Sequence, residues 1–431
     1  MAPSLFLVVP LTVRASVTPA ARHQLKAERA CNEEDDVSTL FPHPNPRTIS
    51  PAEGTLRIAF PDHPFVTEVG DTIDDVVLAY ETWGKLSPER DNVVLVFHAL
   101  TGDAHAASHP EIVGDRPGWW EGLIGPGLPI DTDQFFVICA NALGSCYGST
   151  GPCTADPRGQ RWTLRFPALT VRDLVQAQLR LLDALGIDRL ACAIGGSLGG
   201  MEVLELARTA PDRIARAVVV AASGRFHAQG IAYNEIQRRA IMLDPLWRDG
   251  EYGDEPPEVG VALARMVGMV TFQSDESMSL RFGRHPEARY DAWPTFQGRY
   301  DIEGYLHYQG DKLAARFDAN AYLYLLRAMD SHDIGRDRGG LVEAARRISA
   351  ETLLIGIRTD ILFPPHHVEA TAEAIAGVGG RGRYWELNSP HGHDAFLKEL
   401  HRLDGILRDG IGTPAVVSRP SVVAAVEEAV G

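Results

Sequence analysis

The chain has 431 residues, 45% of them hydrophobic and 23% charged, a composition that suits one large globular domain with an insertion or two smaller domains. A formal net charge of −16 excludes nucleic acid and anionic membrane as partners, because an acidic surface repels phosphate. Cys31, Cys139, Cys146, Cys153 and Cys192 include no Cys-x-x-Cys pair, which predicts reduced thiols and a cytoplasmic location.

Residues 1–53 are rich in proline and carry mixed charges without a sustained period, so they read as a poorly ordered N-terminal extension. Leu5 to Val13 has the length of a signal-peptide core. No Lys or Arg precedes it, however, and Pro10 interrupts it, so it is not taken as an export signal. No apolar stretch approaches the ~20 residues needed to span a bilayer.

From Leu56 onward short β-rich runs alternate with helical patterns. Val93–Phe97 and Phe135–Cys139 are apolar runs of strand length. Thr170 to Gly186 places apolar residues at helical spacing, with a capping threonine at its start and a terminating glycine at its end. A strand to Ile194, a helix after Ser197 and an apolar run at Ala217–Ala222 follow. Strands buried on both faces and separated by helices predict a mostly parallel sheet flanked by helices. Between 226 and 342 strand-like runs vanish, and Ile231–Leu243, Gly260–Met269 and Asp318–Met329 are compatible with helix, so this stretch is read as an inserted helical lid. The alternation resumes at Thr352–Ile357, with a helix near His366–Ala376, a strand at Gly382–Leu387 and a last helix from about Asp394. The domains expected are therefore the extension 1–53, an α/β core of 54–225 and 343–431, and the lid 226–342.

Gly195-Gly-Ser-Leu-Gly199 matches G-x-S-x-G with a strand before it and a helix after it, the context in which the serine is lifted out of the sheet as a nucleophile. The backbone N–H of Leu198 would then face a developing oxyanion. A second donor is expected in the loop after Val93–Phe97, from Leu100 or its neighbour. A serine needs a base, and the base an orienting acid. Functional groups gather beyond the carboxyl ends of parallel strands. The strand at Thr352 leads to Asp360, and the strand at Gly382 leads to His391 and His393. Ser197, Asp360 and a histidine thus follow one another in the chain order of a hydrolase triad, with His391 and His393 as competing bases.

Other conspicuous residues are read plainly. His98 is expected to be buried and hydrogen-bonded, Trp119 and Trp120 to pack, and Gly377–Gly382 to be a loop between helix and strand. His105, His109, His366 and His367 have no metal-ligand spacing backed by other ligands, so no metal is expected.

Taken together, HALTGDAHA (98–106), GWWEGLIGPG (118–127), ANALGSCYGSTGP (140–152), GGSLGGMEVLELA (195–207), IAYNEIQRRAI (231–241), SHDIGRDRGG (331–340), TDILFPP (359–365) and HGHDAFL (391–397) resemble the homoserine O-acetyltransferase family, acyltransferases of the α/β-hydrolase fold. The resemblance runs from about residue 55 to 405. It implies His393 as the base and a ping-pong transfer in which Ser197 is acetylated by acetyl-CoA and L-homoserine then takes the acetyl group. It further implies Arg265 for the acceptor's carboxylate and Asp394 for its ammonium; without it, each reads as a solvated surface charge. No permanently bound cofactor is implied, and two copies are expected to pair through the lid helices.

Two positions bear on specificity. Similar enzymes that use succinyl-CoA carry an arginine where this chain has Leu362, which implies an acetyl donor. Family members often have tyrosine where this chain has Phe272, which leaves L-serine open as an acceptor. The rivals are a serine esterase with the same triad and a non-catalytic binding module.

Overall fold

The protein is described here from a computed structural model covering residues 54–112, 114–287 and 295–413. The predicted 1–53 extension lies outside the described residues. Eight strands form the main sheet: β1 (Gly54–Ala59), β2 (Val76–Trp83), β3 (Val93–Phe97), β4 (Phe136–Ala140), β5 (Leu190–Gly196), β6 (Ile214–Val220), β7 (Glu351–Ile357) and β8 (Gly382–Leu387). Their spatial order is β1-β2-β4-β3-β5-β6-β7-β8. β2 pairs antiparallel with β1 and β4, and every pairing from β4 to β8 is parallel.

The apolar runs become central strands because both their faces are covered. Along β3, Val93, Leu95 and Phe97 enter one hydrophobic core, and Val94 and Val96 enter the other. The first core is closed by α1 (Val171–Ala184), α2 (Leu198–Thr209) and later helices; the second includes Trp119, Trp120 and the inner face of the C-terminal helix Leu400–Ile411. The α1 start forms as its sequence indicates: the Thr170 side chain accepts from the Asp173 N–H, and the Asp173 carboxylate accepts from the Thr170 N–H.

The segment between β6 and β7 contains α3 (Ala228–Met242), α4 (Glu258–Phe272), α5 (Asp275–Phe282), α6 (Asp301–Ala314) and α7 (Ala319–Asp330). Three of these match helical patterns in the sequence, whereas α5 and α6 do not. Two internal glycines, Gly304 and Gly310, lower the local helix signal of α6. Packing holds it instead, with Tyr305, Gln309 and Leu313 buried and Gly310 set against the backbone of Ala262 on α4. Among the described residues no helix is long and apolar enough to cross a membrane.

Candidate active site

Ser197 occupies the turn between β5 and α2 with φ 58° and ψ −124°, a conformation that costs a non-glycine residue on the order of 1–3 kcal/mol and is kept only where the surroundings enforce it. The enforcement is visible on both sides. The Ser197 N–H donates to the carbonyl of Val220 at the end of β6, and the Ser197 carbonyl accepts from Met201 to start α2. A side chain at Gly199 would overlap the carbonyl oxygen of Phe97, so only glycine lets α2 approach the end of β3 this closely. The first N–H groups of α2, Leu198 among them, have no partner within the helix. They adjoin the turn after β3 that carries Leu100, which is itself buried.

The loop after β8 brings in His393. His393 Nδ1 lies 2.7 Å from Asp360 Oδ2, and both residues are about 3% exposed. Asp360 follows β7, and its other oxygen, Oδ1, accepts from the backbone N–H groups of Leu362 and Phe363, each at 2.8 Å. A carboxylate accepts only, so Nδ1 carries a proton, and the neutral ring is the tautomer with its lone pair on Nε2. That Nε2 is buried without a hydrogen-bond partner. The ring is fixed by three aromatic neighbours: Phe363 stacks on it with centroids 5.4 Å apart, Phe396 meets it edge-on at 5.5 Å, and Phe272 lies at 5.9 Å. Phe396 also packs against Gly196, the residue before the serine, so one ring touches both limbs of the site. Gly392, at φ 66°, sits where a side chain would strike the backbone of Phe272, Gln273 and Ser274, which ties the histidine loop to the end of α4.

The competing histidine is placed elsewhere. His391 is about one-third exposed, lies 3.8 Å from Glu399, and has Nδ1 3.3 Å from the Ser277 hydroxyl. Burial together with the charges of Lys398 and Arg402 holds it below its ordinary pKa.

Arg265 and Asp394 are not the solvated charges that their sequence context alone suggests. Asp394 is 7% exposed, and desolvation lowers the pKa of the partly buried Arg265, whose Nε has no hydrogen-bond partner. The guanidinium lies over the Phe272 ring at 5.3 Å, and the Asp394 charge acts on it, yet among the described residues no ion pair joins the two. A partly buried cation over the ring that borders His393 and a buried anion next to His393 in sequence are thus not paired with each other.

Other expectations resolve simply. His98 is buried, and its tautomer is fixed because Nε2 accepts from the Ala142 N–H at 2.9 Å while Nδ1 donates to the Ala99 carbonyl at 2.8 Å; burial lowers its pKa. Trp119 and Trp120 pack and donate to the carbonyls of Asp103 and Phe396. A cavity of about 580 Å³ lined in part by Thr170, Arg225 and His332 contains none of the predicted site residues.

One cluster escaped the sequence. Glu81 on β2 meets His105 and His109, and three of their ligand atoms lie within 4.8 Å of one another. Glu81 Oε2 is 2.8 Å from His105 Nδ1 and 2.9 Å from His109 Nε2, and His105 Nε2 is 2.8 Å from the Arg116 carbonyl. Both acceptors facing His105 lack protons, so both of its ring nitrogens donate and it is an imidazolium. Spacing could not reveal this cluster, because Glu81 comes from a strand 24 residues before His105.

Comparison with known proteins adds an independent line. A family model described as the alpha/beta hydrolase fold matches residues 92–400. The homoserine O-acetyltransferase of Symbiobacterium thermophilum is 51% identical over 357 residues, 82% of this chain and 93% of that protein. The crystal structure of homoserine O-acetyltransferase from Bacillus anthracis superposes with a TM-score of 0.78 at 27% identity, covering 84% of this chain and 98% of that one. The crystal structure of esterase E22 is similar too, with a TM-score of 0.75 at 28% identity over 83% of this chain and 99% of its own.

Proposed function

The chain belongs to the homoserine O-acetyltransferase family of the α/β-hydrolase fold, and on that premise we propose that it transfers an acetyl group from acetyl-CoA to the side-chain hydroxyl of L-homoserine, a step of methionine biosynthesis. In the first half-reaction His393 Nε2 takes the Ser197 proton while the serine oxygen attacks the thioester carbonyl. The N–H groups of Leu198 and of the Leu100 turn receive the oxyanion, and CoA leaves as the thiol with the proton from His393. In the second, His393 deprotonates the homoserine hydroxyl, which attacks the acetyl-serine, and the proton then passes from His393 to the departing Ser197 oxygen. Asp360 keeps the imidazole in the tautomer that both halves need.

The observation that carries this reading is that a partly buried Arg265 over Phe272 and a buried Asp394 next to His393 make no ion pair with each other. An amino-acid acceptor is a zwitterion, and such a couple complements it by giving the guanidinium to its carboxylate and the aspartate to its ammonium. Leu362 is buried and apolar, which favours acetyl over a donor with a second carboxylate. Phe272 offers no hydroxyl to the acceptor.

The esterase reading is kept because of the structural likeness to esterase E22. Water and homoserine compete for one acyl-enzyme, so the acceptor pocket decides the outcome. The test is turnover of acetyl-CoA and succinyl-CoA with L-homoserine and with L-serine. The proposal requires acetyl-CoA consumption stimulated by homoserine; rapid ester hydrolysis indifferent to homoserine would favour the esterase. Two copies pair through the helices between β6 and β7. The exposed Leu243, Val259, Leu263 and Leu280 support that pairing, and sedimentation tests it. The net charge and the absence of a paired-cysteine framework favour the cytoplasm as its location.

A further inference from the structure

We infer that Gln273 is a positioning residue for the acceptor half of the reaction, holding one oxygen of Asp394 so that the other faces the acceptor's ammonium without being neutralised by the protein. The inference rests on the proposed role of Asp394. Gln273 is the first residue beyond α4 and is 3% exposed. Its Nε2 donates to Asp394 Oδ2 at 3.1 Å, and its Oε1 accepts from Lys398 Nζ at 3.2 Å and from the Ser277 hydroxyl at 3.1 Å. Lysine has donors only and a carboxylate acceptors only, so the amide has one orientation that satisfies both ends.

A neutral amide therefore stands between a cation and an anion on the same short segment, Asp394 to Lys398. Pairing those two charges directly would neutralise the carboxylate that the acceptor needs. Gln273 transmits a hydrogen bond from Lys398 to Asp394 but no net charge. Its backbone is held as well, because the Gly392 turn packs against Gln273 and its neighbours.

The experiment separates the half-reactions in Gln273→Met, Gln273→Glu and Asp394→Asn. Gln273→Met keeps the length and removes the hydrogen bonds. Gln273→Glu keeps the shape and the Lys398 contact but sets a second carboxylate against Asp394, and it serves if the methionine variant fails to fold. Loss of a hydrogen bond to a charged group predicts a homoserine KM raised about tenfold in Gln273→Met, and further in Gln273→Glu. Acetylation of Ser197 by acetyl-CoA without acceptor should stay within about twofold of the parent, since the bond acts only on the acceptor side. If Asp394→Asn raises the homoserine KM and neither Gln273 variant does, the inference is wrong and the role of Asp394 stands. If Asp394→Asn leaves that KM unchanged, both fall. An equal loss in both half-reactions would mean that Gln273 only supports the fold.

Discussion

His393 Nδ1 and Asp360 Oδ2 lie 2.7 Å apart, and the second oxygen of the same carboxylate is held by two backbone N–H groups. The carboxylate cannot rotate away without losing all three bonds, so the imidazole is held in the tautomer with its lone pair on Nε2. Asp360→Asn presents an N–H or a carbonyl in its place and favours the wrong tautomer. Turnover should fall by about 10⁴-fold, the loss seen when a triad carboxylate elsewhere is neutralised, with little change in KM. Steady-state kinetics check this, and a variant within tenfold of the parent would remove Asp360 from the mechanism.

Arg265→Lys keeps the charge but loses the planar fork that grips a carboxylate. The homoserine KM should rise by about 10- to 100-fold, the scale of a lost charge-assisted hydrogen bond, while acetylation by acetyl-CoA continues. Pre-steady-state acetylation and steady-state KM, measured on one preparation, distinguish the two.

Gly199→Ala tests the packing that strains Ser197. The added methyl would collide with the Phe97 carbonyl, a backbone group that cannot rotate out of the way. Chemical denaturation should show a loss of about 1–3 kcal/mol, the usual cost of overpacking, and activity should fall with it as α2 shifts from the Leu100 turn. Undiminished stability and activity would show that this approach has slack.

The Glu81–His105 pair predicts a pH dependence of stability. Burial alone works against both charges, but their mutual hydrogen bond and attraction prevail, raising the His105 pKa and, with His109, lowering that of Glu81. A raised histidine stabilises fully below its unfolded value of about 6.5, and loses that stability as pH climbs through its higher folded value. A lowered glutamate stabilises fully above about 4.3, and loses it as pH falls through its lower folded value. The contribution is therefore greatest between about pH 4.3 and 6.5 and shrinks above neutrality. Unfolding of the parent and of His105→Gln across pH should give a stability gap that narrows toward alkaline pH; a widening gap would contradict the imidazolium.

The sequence shows what depends on local pattern. Val93–Phe97 and Gly382–Leu387 form strands with the limits their runs suggest, and Thr170 caps α1, because burial and capping are written in neighbouring residues. The serine turn is legible for the same reason. The choice of His393 over His391 is not, since two histidines follow the same strand and only the folded loop decides which meets Asp360. Nor is the withdrawal of Asp394 and, in part, Arg265 from solvent legible, because it depends on residues distant in the chain. The Glu81 cluster and Gln273 depend wholly on contacts between separate elements.

The most direct measurement is the mass of the Ser197 peptide after mixing with acetyl-CoA alone, and again after adding L-homoserine. The proposed mechanism requires an acetyl adduct on that peptide, absent in Ser197→Ala and discharged by homoserine faster than by water. No adduct in the active protein, or one that homoserine leaves in place, would contradict transfer through Ser197.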